Sequence, residues 1–265
     1  HLHDAYQLDS LTLAGGCAMN SVANGKVLRQ SQFKRLYIQS AAGDAGGAIG
    51  AAIYAWHQSA QGRTARLSHA PSSTALSGDC LSGRRVMDHA YLGPSASEHE
   101  LEKLIEGRSA EISSSGCEVA HVANEEHLCR MTAEAVARGE VVGWFQGRME
   151  WGPRALGNRS IICDPRRADM KDILNAKIKR RESFRPFAPS VLKEYVAEWF
   201  EEDGDVPFMM QVYQIQEDKR AEIPAVTHVD GSGRLQTAYR QTNPRYWALI
   251  EAFRQITSVP MVLNT

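Results

Sequence analysis

Hydrophobic and polar positions along the chain switch repeatedly between a period of two and a helical period. A short apolar run at 11–14, closed by Gly15-Gly16, predicts a strand and turn, and the spacing over 19–30 predicts a helix. A second strand is expected at 34–39 around Leu36, Tyr37 and Ile38, then a Gly-rich loop at 41–47 and a small-residue helix at 47–57. From 59 to 83 Ser, Ala, Gly, Thr and Pro dominate and the periodicity disappears, as in a linker. After Gly93-Pro94 the pattern resumes with an acidic helix at 97–106. A helix at 125–138 follows, capped by Asn124, with Leu128, Met131 and Ala135 on one face and Gly139 as its stop. Strands are expected at 141–145, 160–163, 188–192, 208–215 and 261–263, with helices at 171–178, 194–200 and 246–256. The alternation predicts an α/β chain in two parts, 1–85 and 86–265.

Composition narrows the classes. A chain of 265 residues with 43% apolar and 23% charged residues is not wholly disordered. The most apolar stretch, 41–56, is interrupted by Asp44 and four glycines, short of the ~20 apolar residues a membrane span needs. Five cysteines (Cys17, Cys80, Cys117, Cys129, Cys163) are scattered and never in a C-x-x-C pair, so neither a disulfide framework nor a structural zinc site is expected. With no basic segment leading into an apolar one at the start, a cytoplasmic setting is expected.

Charge changes the picture more. Lys and Arg number 30 against 31 Asp and Glu, which gives the molecule no overall field for nucleic acid. Between 141 and 193, however, 12 basic residues face 5 acidic ones, and the cations alternate with Gly, Pro and aromatic residues. That interleaving suits a basic cleft better than a solvated helix face.

Two strings carry this charge. In 147–160, Arg148, Arg154 and Arg159 stand among glycines, where the backbone can approach a ligand and guanidinium forks can take phosphate or carboxylate. The plainer alternative pairs them with Glu150 and Asp164. In 177–189, Lys177, Lys179, Arg180, Arg181 and Arg185 are set among Phe184, Pro186, Phe187 and Pro189; alone, this string also fits a nucleic-acid patch. Facing each other, the strings would enclose up to eight cations. No activated nucleophile is patterned near Ser160 or Cys163. At 14–20 a glycine turn leads into a helix, a geometry open to phosphate or ribose. In the loop at 42–47, Asp44 suits either a helix cap or a metal ligand. His228, Asp230, Gly231 and Gln236 read as a polar turn between strands.

Taken together, LAGGCAMN, AAGDAGGAIGAA, GWFQGRMEWGPRALGNRSI, KRRESFRPFAPSVL, PAVTHVDGSGRLQT and VPMVLNT resemble the O-carbamoyltransferases of nodulation-factor and antibiotic-tailoring type. The likeness runs over nearly the whole chain. It implies part of an actin-like lobe over 1–85, then a YrdC-like α/β domain over 86–265 with a mixed twisted sheet. The YrdC-like domain would condense carbamoyl phosphate with ATP, accompanied by Mg2+, to carbamoyl adenylate and pyrophosphate. The actin-like domain would pass the carbamoyl group to a hydroxylated small-molecule acceptor. By this resemblance Arg148, Arg154, Arg159, Lys179, Arg181 and Arg185 bind the anions, and Gly15, Gly16, Asn20, Asp44 and Ser160 contact nucleotide. Asp44 would also be a ligand of an Fe(II)-type metal. The chain lacks the family's H-x-x-x-H pair, which leads us to expect an incomplete metal site and a longer enzyme whose first lobe precedes His1. Two other readings stay open: an RNA-binding YrdC-like module and a non-catalytic fragment.

Overall fold

The structure, a computed structural model, describes residues 1–59 and 87–265. Apart from Ser59, the expected linker and the boundary near 85 lie outside the described residues.

The first part holds α1 (Leu2–Tyr6), β1 (Ser10–Thr12), α2 (Ser21–Gln30), β2 (Arg35–Tyr37) and α3 (Gly46–Gln58). β1 and β2 run parallel, with Leu11 beside Leu36, and α2 makes the crossover that a parallel pair requires. The helix expected from 19 begins at 21. Gly16–Met19 closes instead as a 3-10 turn, and Asn20 becomes the N-cap by accepting the Ala23 N–H at 3.1 Å.

The second part opens with α4 (Glu98–Gly107), where Ser97 and Glu100 form a capping box, and α5 (Ser109–Ser114). α6 (Glu125–Ala137) starts on Asn124, which accepts the His127 N–H at 2.8 Å. Then come β3 (Val142–Phe145), β4 (Arg159–Cys163), α7 (Met170–Ile173), β5 (Ala188–Leu192), α8 (Val196–Trp199), β6 (Gln211–Gln214), β7 (Ser232–Ala238), α9 (Pro244–Thr257) and β8 (Met261–Asn264).

Several expectations need correction. The helix expected at 171–178 is a single α turn that widens into the π-helical turn Leu174–Lys179 and stops where Arg180 takes φ 48°. The helix expected at 194–200 is a 3-10 turn, Lys193–Tyr195, followed by α8. The polar turn ends at Gly231; beyond it Gln236 is buried inside β7. The strand around 208–215 shortens to β6 because Phe208, Met209 and Met210 turn into a separate apolar cluster.

One six-stranded mixed sheet, ordered β3-β4-β8-β5-β7-β6, organises the second part; only β5 and β7 pair in parallel. Its main core joins Ile162, Val191 and Met261 to Ala133 and Val136 of α6 and Leu249, Ile250 and Phe253 of α9. The other cluster straddles the two parts: Ala18, Ile38 and Ala42 pack with Leu156, Phe208, Met209 and Met210. Loop 146–158, which carries most of the first basic string, therefore sits between two cores.

Candidate active site

A cleft of about 980 Å³ opens beside that loop, and Arg154, Lys179, Arg181, Arg185, Arg234 and Glu150 are among the residues lining it. Members of both basic strings line this one cavity (Arg154 and Arg159 from the first, Lys179, Arg181 and Arg185 from the second), whereas Arg148, Lys177 and Arg180 do not. Buried amides fix the loop from beneath. Gln236 donates to the Leu156 carbonyl at 2.8 Å, and Asn264 donates to the Ala155 carbonyl at 3.0 Å. Ser190 ties these two together through the Gln236 amide oxygen and the Asn264 Nδ2. The β5–β7 and β5–β8 registers, Ser190 beside Gln236 and Ala188 beside Asn264, bring the three side chains to one place. Gln146, Asn158 and Asn243 make a second amide cluster, with Gln146 Nε2 at 2.8 Å from Asn158 Oδ1 and 2.6 Å from Asn243 Oδ1.

Glu150 does for the loop backbone what the amides do for its carbonyls. Its buried Oε1 accepts the N–H groups of Leu156 (2.8 Å), Asn158 (2.8 Å) and Arg159 (3.2 Å). Asp164 is held by Arg166 at 2.7 Å and Glu182 by Arg185 at 2.9 Å. The nearby carboxylates are thus engaged away from the other cations of the cleft.

The arginines of the first string differ sharply. Arg148 donates to the carbonyls of Gly93 (3.0 Å) and Leu92 (3.1 Å) and is not among the lining residues. Arg159 lies 3.5 Å over the Phe145 ring and donates to the carbonyls of Gln146 (2.6 Å), Asn158 (2.8 Å) and Gly147 (3.1 Å). Both act as clamps on the loop. Arg154 makes one long bond, from Nη2 to the Met19 carbonyl at 3.3 Å, while its Nε is buried without a partner among the described residues. Burial holds its guanidinium below the usual arginine value.

Arg234, in the stretch PAVTHVDGSGRLQT, sits on β7 and carries no motif signal of its own. Burial, then Arg154 and Arg181, pulls it down to about 9, and its Nε also lacks a partner among the described residues. Arg181 is lowered by burial and Arg185; it donates to Asn175 Oδ1 at 2.8 Å and lies 4.9 Å from the Phe187 ring. Burial and Arg181 likewise lower Lys179. Arg234, Arg181 and Lys179 are each lowered in part by a neighbouring cation, so the cleft concentrates positive charge that an anion would offset.

The remaining candidates lie elsewhere or are occupied. Ser160 Oγ lines the cleft and accepts the Gly157 N–H at 2.9 Å. The Cys163 thiol is pushed up to about 12 by burial and Asp164. Neither is an activated nucleophile. Gly15 donates its N–H to the Ala42 carbonyl at 2.7 Å, Gly16 starts the 3-10 turn, and Asn20 caps α2; none of them lines the cleft. Asp44 is exposed and does not cap α3, whose N-cap is Ala45. Among the described residues no group of three or more His, Cys, Asp or Glu could hold a metal ion. No helix among the described residues is long and apolar enough to cross a membrane.

The family model for the carbamoyltransferase C-terminus matches residues 133–265, and the model for the carbamoyltransferase N-terminus matches residues 1–53. The chain is 43% identical to an uncharacterised protein of Synechocystis, over all of the chain and 43% of that protein. It is 41% identical to nodulation protein NolO of Bradyrhizobium diazoefficiens, over all of the chain and 44% of that protein. It is 31% identical to 3'-hydroxymethylcephem-O-carbamoyltransferase of Streptomyces clavuligerus, over 96% of the chain and 42% of that enzyme. The chain thus spans less than half the length of these relatives.

Proposed function

Because the chain belongs to the carbamoyltransferase family, we propose that its basic cleft is the donor-activating site of an ATP-dependent O-carbamoyltransferase. The observation that carries this reading is the convergence of Arg154, Arg181 and Arg234, with Lys179 beside them, while the neighbouring carboxylates bond elsewhere. Carbamoyl phosphate and a triphosphate repel each other. At an effective dielectric of ~20, two unit charges ~4 Å apart cost about 4 kcal/mol, so fixed cations are needed merely to assemble them. Guanidinium groups suit the task because they stay charged at neutral pH and bind oxygen pairs.

In this reading carbamoyl phosphate, ATP and one water give carbamoyl adenylate, pyrophosphate and phosphate. Arg154, Arg181 and Arg234 bind the anions and offset charge developing on the departing phosphate oxygens. Lys179 and Arg185 extend the same field, while Arg148 and Arg159 hold the loop in shape. Water cleaves carbamoyl phosphate to carbamate and phosphate, and a carbamate oxygen then attacks the α-phosphorus of ATP as pyrophosphate leaves; no carbamoylated side chain forms, since Ser160 and Cys163 are not activated. Mg2+ would enter on the ATP phosphates. The same proposal reads 1–85 as part of an actin-like lobe and 86–265 as a YrdC-like domain. Transfer to a hydroxyl acceptor is supported by the name of the S. clavuligerus relative.

Isotope exchange between pyrophosphate and ATP tests the reading. Exchange that requires carbamoyl phosphate and is lost in Arg154→Ala is the expected result. A folded Arg154→Ala chain with undiminished exchange, or exchange indifferent to carbamoyl phosphate, rejects it.

A further inference from the structure

The seam between the first part and the cleft is built from buried polar contacts. Asn24 of α2, buried, donates its side-chain amide to the Ala18 carbonyl at 2.7 Å and to the Met210 carbonyl at 2.9 Å. Ala18 belongs to the Gly16–Met19 turn, and Met210 follows Met209, a cleft-lining residue held at φ 57°. A non-glycine residue in that region persists only where its surroundings over-determine it, and the bond to the adjoining carbonyl is one such restraint. On the other side of the turn, Arg154 reaches the Met19 carbonyl. Gly152, two residues before Arg154, lies so close to Ser40 that a Cβ there would stand 2.5 Å from the Ser40 carbonyl oxygen. Gly15, just ahead of the turn, is tied to Ala42. Consecutive carbonyls of one turn, Ala18 and Met19, are thus gripped by two side chains, each of which also reaches the cleft or its wall.

Arg154 is the asymmetric member. It has one long bond to the turn, a buried Nε with no partner among the described residues, and like charges beside it. A guanidinium can give Nε–H and one Nη to an anion while the other Nη stays on a carbonyl. We propose that Arg154 serves both sides of the seam: it is a contact of the anion in the cleft and, through the Met19 carbonyl, a positioning residue for the Gly16–Met19 turn, so that filling the cleft tightens the turn. The inference rests on the anion-binding reading of the cleft and extends it to a coupling with the first part of the chain. Coupling of this kind is reciprocal, so loosening the turn must weaken the anion.

The experiment uses the full chain with inorganic pyrophosphate as the probe. Calorimetry measures its affinity, and amide hydrogen exchange is followed over residues 16–24. Saturating pyrophosphate is expected to slow exchange there at least threefold. Arg154→Lys replaces the fork with one ammonium, which reaches the anion or the carbonyl but not both. It should bind pyrophosphate more weakly and show no slowing at saturation. Asn24→Ser loosens the turn from the other side, releasing the Ala18 and Met210 carbonyls while leaving every cleft-lining side chain in place, and should weaken pyrophosphate at least threefold. Pyrophosphate that binds the wild type but leaves exchange over 16–24 unchanged overturns the coupling alone. So does full slowing in Arg154→Lys, or unaltered affinity in a folded Asn24→Ser chain. If the wild type binds no pyrophosphate, the reading of the cleft fails and the coupling falls with it.

Discussion

Arg234 enters the cleft from β7, where burial and the charges of Arg154 and Arg181 pull it down to about 9. The sign of its effect on stability follows. Below about 9 the folded chain carries a desolvated, repelled cation that the unfolded chain leaves in water, so the full cost is present. As pH rises from about 9 towards the ordinary arginine value, the unfolded state binds more protons than the folded one, and stability recovers. Replacing even a buried ion pair with well-packed apolar side chains is often neutral or stabilising by about 1–4 kcal/mol, and Arg234 has no ion-pair partner among the described residues to lose. Arg234→Met should therefore raise the Tm of the ligand-free chain at pH 7, by about 2–4 °C per kcal/mol, with the gain shrinking towards pH 10. The same variant should lose pyrophosphate affinity at least tenfold; a lowered ligand-free Tm at pH 7 would mean that Arg234 has a structural partner. Glu150 behaves oppositely. Glu150→Ala leaves three loop N–H groups without their acceptor, at about 1–3 kcal/mol for each that stays buried, whereas Glu150→Gln keeps an oxygen there and should melt close to wild type. Thermal melts of the two variants decide this. Residue chemistry of this kind was only partly legible in sequence. Arg148, Arg154 and Arg159 look alike among their glycines, and what separates clamp from ligand contact is which carbonyls the fold brings within 3.5 Å. Arg234 stayed hidden because it follows a Gly-Ser-Gly run that reads as a turn.

At the scale of elements, the seam depends on how closely α2 approaches β6. Gly25 lies mid-helix, where alanine would ordinarily gain about 1 kcal/mol. Here a Cβ would stand 2.0 Å from the Val212 carbonyl oxygen, and the obstacle is backbone. Overpacking of this kind typically costs about 1–3 kcal/mol and outweighs the propensity gain, so Gly25→Ala should lower Tm and weaken pyrophosphate together. A higher Tm in this variant would show that α2 does not seat on β6 as described. The elements that sequence revealed have local causes: Asn124 capping α6, Ser97 and Glu100 capping α4, and Gly139 at φ 89° ending α6's last turn. Those it missed have distant ones. β7 lies between β5 and the edge strand β6, and its buried Ser232, Gln236 and Thr237 are satisfied by partners such as Asp230 and Leu156, so its polarity mimics a loop. The π-helical widening at Leu174–Lys179 leaves Asn175 bonding to the carbonyls of Ser183 and Arg185, a requirement that helical spacing cannot express.

At the scale of the molecule, the charge is partitioned. The chain has a net −1, yet residues 141–193 carry +7, and the structure turns part of that excess into a cleft instead of spreading it over a face. A cleft of this kind and an RNA-binding surface differ in how they respond to salt. A surface that tracks a phosphate backbone releases a counterion for each phosphate contacted; with 6–10 such contacts, affinity falls by about 10³–10⁵ between 50 and 200 mM salt, across many sequences. On the proposed reading, a cleft lined by Arg154, Lys179, Arg181, Arg185 and Arg234 takes one small polyanion, and an acidic remainder of the molecule repels a long one. Pyrophosphate at a hundredfold its Kd should therefore add about 2.7 kcal/mol to unfolding stability, and the gain should weaken with added salt. Single-stranded RNA at physiological salt should leave Tm unmoved. The opposite pattern, RNA stabilising the chain steeply at low salt and pyrophosphate having no effect, would place the working surface outside the cleft. Because the mixed apolar cluster joins Ala18 and Ile38 to Met209 and Met210, ligand stabilisation should reach the first part as well. Exchange protection under pyrophosphate should then extend to β1 and β2 rather than end at the six-stranded sheet.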